Sequence, residues 1–81
     1  MDEFLRFMVQ QLVEHPDEAI LTHREEAGKI FFQLSLPQSD VGRLIGKGGS
    51  TINAIRELLT AAAEKQRKKA SLEILDYTDR F

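Results

Sequence analysis

The chain has 81 residues and a mass of 9.2 kDa, enough for one small domain that buries roughly 60% of the surface its unfolded chain exposes. Apolar residues make up 42% and charged residues 30%, with a net charge of −2, a balance that favours a folded globule over a disordered chain. The absence of cysteine excludes disulfides, thiolate metal sites and a cysteine nucleophile; two histidines alone make no convincing zinc site, and apolar runs of two or three residues make no membrane-spanning helix.

In chain order, residues 2–14 read as a helix. Phe4, Leu5, Met8, Val9 and Leu12 recur at helical spacing, with Arg6, Gln10, Gln11 and Glu14 between them. Its acidic start, Asp2 and Glu3, argues against a secretory signal, so a soluble, cytoplasmic domain is expected. Pro16 cannot continue the helix and biases His15 toward an extended conformation. Residues 18–24 are the first predicted strand, and Glu26-Ala27-Gly28 the turn after it. Residues 29–36 form the clearest strand: Ile30, Phe32, Leu34 and Leu36 alternate with Phe31, Gln33 and Ser35. Alternation puts Phe31 and Phe32 on opposite faces, so one of them is expected to be partly exposed, as a partner surface would require.

Pro37 ends that strand. Ser39 reads as the N-cap of a short helix and Gly46 as its stop. A further helix is expected from Ser50 to about Arg67, with the apolar stripe Ile52, Ile55, Leu58, Leu59, Ala62 and Ala63. Lys65 to Lys69 fall at its C-terminal end, where cations suit the dipole and where they could also extend a nucleic-acid track. Residues 70–76 form the last strand and 77–81 a frayed tail. His15 and His23 are isolated and read as surface residues. The order α-β-β-α-α-β predicts a single α+β domain over residues 1–81, a three-stranded sheet with three helices packed on one face.

Charge is unevenly spread along this order. Between Arg43 and Lys69 there are seven basic residues and two acidic ones, a net of +5, while the remainder carries four basic and eleven acidic residues, a net of −7. An acidic body with a local positive field still admits a polyanionic partner, although the same charges could merely solvate helix faces.

The most informative segment is Leu44-Ile45-Gly46-Lys47-Gly48-Gly49-Ser50-Thr51-Ile52. Gly46 to Gly49 make a four-residue turn between two helices. The second helix begins just after it with unpaired N–H groups and the positive end of its dipole, and glycines let another backbone approach closely. Lys47 adds a mobile positive charge at the tip. Such a corner suits a phosphodiester backbone, read by charge and shape. A simple bend would need fewer glycines. A nucleotide-binding P-loop needs four residues between its glycines and Lys-Ser/Thr after them, whereas three separate Gly42 from Gly46 and Gly48 follows Lys47. A dinucleotide fingerprint fails on spacing and context.

Ile45-Gly46-Lys47-Gly48-Gly49-Ser50-Thr51-Ile52 resembles the Ile-Gly-x-x-Gly-x-x-Ile signature of K-homology (KH) domains, and the element order resembles the bacterial type II arrangement. The length and the Gly-Lys-Gly-Gly loop are similar to the small bacterial KhpA family. The resemblance implies a single-stranded RNA-binding protein, an RNA chaperone that forms homodimers or pairs with a second KH protein (KhpB, also called Jag or EloR) in cell-wall and cell-shape regulation. It implies no membrane partner and no cofactor. Carried over residue by residue, Gly46, Lys47, Gly48, Gly49 and Ser50 contact phosphates, and Arg43 and Arg56 reach neighbouring ones. Val41, Leu44, Ile45, Ile52 and Ile55 line the groove under the bases, although core packing alone could explain any of them. All six aromatics (Phe4, Phe7, Phe31, Phe32, Tyr77 and Phe81) lie outside residues 38–69, so stacking platforms are missing from the loop region. One domain is therefore expected to bind weakly, with little sequence preference and a steep salt dependence. A dimerising interaction module whose RNA binding is weak or supplied by its partner is the alternative. No nucleophile–base pair, carboxylate dyad or metal cluster supports an enzyme.

Overall fold

The computed structural model describes residues 1–76, so the expected frayed tail at 77–81 lies outside the described residues. The elements follow the expected order: α1 (Asp2–Leu12), β1 (Ile20–Glu26), β2 (Lys29–Leu36), α2 (Gln38–Ile45), α3 (Ser50–Lys65) and β3 (Lys69–Asp76), with single 3₁₀ turns at Pro16–Glu18 and Lys47–Gly49. β2 is the central strand, antiparallel to β1 and parallel to β3. The hairpin permits the first pairing; the long return through α2 and α3 imposes the second.

The register puts Leu21 beside Leu34, Phe32 beside Leu72 and Leu34 beside Ile74, which makes one face of the sheet apolar. Against it pack Leu5 and Val9 of α1, Leu44 of α2, and Ile52, Ile55 and Leu59 of α3, all buried. Each such side chain contributes roughly 1.5–3 kcal/mol on leaving water. Phe31 and Phe32 divide as alternation requires. Phe32 is 2% exposed, inside the core. Phe31 is half-buried on the opposite face, with the Arg24 guanidinium 4.6 Å and the Lys29 ammonium 4.9 Å from its ring centroid. Among the described residues the most exposed large apolar side chains are Phe7 of α1 (61%) and Leu58 of α3 (51%), with Ile20 of β1 and Phe4 of α1 also exposed.

Several boundaries differ from expectation for identifiable reasons. α1 ends at Leu12 because Val13 turns to extended geometry (φ −95°, ψ 156°) and enters the core. The two amides that follow are taken by a side chain from α2. Glu14 N–H donates to Asp40 Oδ1 and His15 N–H to Asp40 Oδ2, each at 3.0 Å, and Asp40 is completely buried. Ser39 is not the N-cap: α2 begins at Gln38, directly after Pro37, with no side-chain cap. β1 sits two residues later than predicted, because Pro16–Glu18 closes its own turn and the ladder runs to the Glu26–Lys29 pair. α3 stops at Lys65, where Gln66 and Arg67 turn the chain and Arg67 takes a left-handed conformation (φ 58°).

Asp40 is the joint between α1 and α2, so its removal is costly. Asp40→Ala leaves two amides without their acceptor, at about 3 kcal/mol. The expected outcome is a thermal midpoint lower by more than about 10 °C, measured by circular dichroism. An unchanged midpoint would show that the carboxylate does not hold the joint.

Candidate nucleic-acid interface

α2 and α3 meet at a corner that only glycine can build. Gly46 has φ 75° and ψ 178°, a region essentially closed to other residues. A Cβ there would also collide with the Thr51 side chain, whose own Cβ would lie 2.7 Å away. Gly48 (φ 65°) and Gly49 (φ 78°) are left-handed too, yet a Cβ on Gly48 would meet open space and one on Gly49 only the Asn53 amide at 3.8 Å. Packing thus demands the first glycine, while the other two keep the outer surface of the turn bare. Gly49 caps α3 and no side chain satisfies the helix's leading amides, which carry the positive end of the dipole. Lys47, at the tip, is exposed and makes no ion pair among the described residues.

From this turn an open groove runs between α3 and β3. Ile45, Ile52, Arg56, Leu72, Glu73 and Ile74 line the half nearer the turn. Arg56, Leu59, Thr60, Ala70, Ser71 and Leu72 line the farther half. β3 is an edge strand, and Arg56 Nη2 donates to the Leu72 carbonyl at 3.2 Å, so a guanidinium spans the groove at its midpoint.

The structure brings most of the predicted residues to this corner, but not in equal roles. Gly46, Lys47, Gly48, Gly49 and Ser50 form the turn and the start of α3; Arg56, Ile45 and Ile52 line the groove. Leu44 and Ile55 are sunk in the core, at 0% and 4% exposure, and Val41 packs partly buried against it. Arg43 points to the α1–α2 joint. Its Nη2 lies 2.7 Å from Glu14 Oε2 and its Nε 3.7 Å from Asp40 Oδ1, so its charge is already matched there. His23 is a surface residue, with Nδ1 2.8 Å from Asp2 Oδ2, and His15 lies exposed 3.5 Å from Glu18. Sequence reasoning missed Leu72, Glu73 and Ile74. The alternation of Leu72 and Ile74 marked an apolar strand face, but only the parallel placement of β3 beside α3 makes it a groove wall.

Comparison with known proteins agrees with this geometry. The sequence profile of the family described as "KhpA/KhpB, KH domain" matches residues 2–74. The RNA-binding protein KhpA of Chlamydia muridarum is 41% identical over 76 residues, which cover 94% of this chain and 97% of that protein. The RNA-binding protein KhpA of Listeria monocytogenes is 38% identical over 76 residues, covering 94% of this chain and all of the relative.

The unequal demands on the glycines can be measured. Gly46→Ala is expected to cost about 1–3 kcal/mol from backbone geometry alone, with the Thr51 collision added. Thr51→Ala in the same chain should recover only the hydroxyl's share of the collision, because the Cβ 2.7 Å away remains; denaturant unfolding of the three variants resolves the difference. Equal stability of Gly46→Ala and the parent would contradict the geometry.

Proposed function

The chain belongs to the KhpA/KhpB family of KH domains, and from that premise we propose that it binds single-stranded RNA, holding the phosphate backbone on the Gly46–Gly49 turn and the bases in the α3–β3 groove. The observation that carries this reading is the bare corner. An exposed Gly48, a half-buried Gly49, helix amides with no side-chain cap and a Lys47 that is unpaired among the described residues sit at the mouth of a groove with an apolar floor. The names of the relatives, RNA-binding protein KhpA, support the same ligand. The Gly-x-x-Gly turn of a KH domain clamps about four nucleotides. Lys47 and Arg56 supply the cationic contacts, Ser50 adds a hydroxyl at the start of α3, and Arg43 joins only by exchanging Glu14 for a phosphate. Ile45 and Ile74, with the edges of the largely buried Ile52 and Leu72, form the surface on which bases lie. Leu44, Ile55 and Val41 support that surface from below. By family resemblance the proposal extends to a cytoplasmic RNA chaperone working with a second KH protein of the KhpB type in cell-wall and cell-shape control.

A second reading, a dimerising interaction module, is favoured by the exposed Phe4 and Phe7 of α1 and Leu58 of α3. The two readings are compatible in one protein.

Replacing Gly48 and Gly49 together by Asp is expected to weaken binding of a short single-stranded RNA at least about tenfold, measured by fluorescence anisotropy. Lys47→Gln, which leaves the backbone unstrained, should lower the slope of log affinity against log salt by about 0.7. Unchanged affinity in the aspartate variant refutes the RNA reading. For the second reading, sedimentation velocity at high micromolar concentration is expected to show a dimer that Phe7→Ser weakens; a strict monomer rules it out.

A further inference from the structure

The Lys65–Lys69 cluster is not absorbed by the groove, and its members have separate environments. Lys68 Nζ pairs with Glu25 at 3.0 Å. Lys69 instead stands on the outer face of the sheet, directly beside Lys29 in the β2–β3 register. Two ammonium groups facing each other across adjacent strands repel, and no acidic side chain among the described residues pairs with either. Arg67 joins them. With Lys29, Phe31 and Lys69 it lines an open depression at this end of the sheet, where Glu26 is the one acidic side chain among the described residues. Glu26 is itself engaged by Arg24, Nη1 to Oε1 at 2.8 Å.

Arg67 sits where glycine is the favoured residue. It occupies the left-handed position that ends α3: Arg67 N–H donates to Glu64 O and Lys68 N–H to Ala63 O, each at 2.9 Å. A guanidinium is therefore held at a strained backbone position beside two lysines that have no acidic partner among the described residues. Phe31 lies among these cations, the ring that the groove itself lacks. The groove also leads here. Its far half ends at Thr60, Ala70 and Ser71, and Ser71 belongs both to the groove wall and to the outer face, where it is the register partner of Phe31.

We propose that the outer face of the sheet, at Lys29, Phe31 and Lys69 with Arg67 on its rim, is a second contact surface for single-stranded nucleic acid. It takes the stretch of chain that leaves the groove around the β3 edge. This rests on the RNA reading above and adds to it. The first four or so nucleotides occupy the groove; later phosphates meet Lys69, Lys29 and Arg67, and a base meets the Phe31 ring.

The test compares a 5-nucleotide and a 15-nucleotide unstructured RNA of the same composition, by fluorescence anisotropy over a salt series. Lys29→Gln with Lys69→Gln is expected to weaken the 15-mer about tenfold and to lower its salt slope by about 1.4 while leaving the 5-mer within about twofold. A charge-matched control, Arg6→Glu on the exposed side of α1, should leave the 15-mer close to the parent value. Arg67→Gly should raise the thermal midpoint by about 4–8 °C, because it relieves the left-handed strain, and still weaken the 15-mer. A purely structural role for Arg67 would not separate the two readouts in that direction. The proposal is overturned if the double variant binds the 15-mer like the parent, if the control weakens it equally, or if the 5-mer falls in parallel. Failure of the parent to bind either RNA would instead remove the groove reading, and this one with it.

Discussion

Two helices can meet at the Gly46 corner only because nothing projects from it. The Thr51 side chain occupies the volume a Cβ would need, and the backbone there has a geometry other residues avoid. The geometry of the candidate interface follows from that contact. It sets the angle at which α3 leaves the turn, and so the direction of its leading amides. It also fixes α3 relative to β3, and with it the width of the groove. Gly48 and Gly49 differ in kind: a side chain at either would meet no collision, and only their left-handed backbone calls for glycine.

How much of this was legible in the sequence depends on how each segment is buried. β2 matched its predicted span of 29–36 because its inward side chains are deeply buried, and burial on one face writes a strict alternation. β1 carries six exposed residues of seven and leaves no such trace, so its bounds slid by two residues. Helical periodicity found the apolar sides of α1 and α3 but not the width of their contact. Phe4, Leu12 and Leu58 fall within the predicted stripes, yet each remains exposed because a small sheet covers only a narrow arc of each helix. The glycine turn was readable since its residue types are themselves the signal. The far wall of the groove was not, because it is made by a strand that lies twenty residues later and becomes a neighbour only through parallel pairing with β2.

Arg43 illustrates a limit of reading charge from a linear stretch. It counts toward the +5 segment, yet Glu14 and Asp40 engage it at the α1–α2 joint. Lys68 is likewise matched by Glu25. The effective positive surface is thus smaller than the segment sum and divides into two places, the tip of the turn with the groove, and the outer sheet near the end of α3. Glu14, Asp40 and Glu25 neutralise basic residues that lie away from the turn and the groove.

The Arg56 contact with the Leu72 carbonyl has a further consequence. β3 ends the sheet, and an open edge is a template on which a second chain could add its own strand. A guanidinium laid over that edge occupies an acceptor the intruding strand would use and puts a positive charge in its path. The same side chain that would greet a polyanion therefore discourages amyloid-like stacking of one molecule on another. Edge protection and the proposed ligand contact thus fall on one arginine, whose loss would open the strand edge together with the groove.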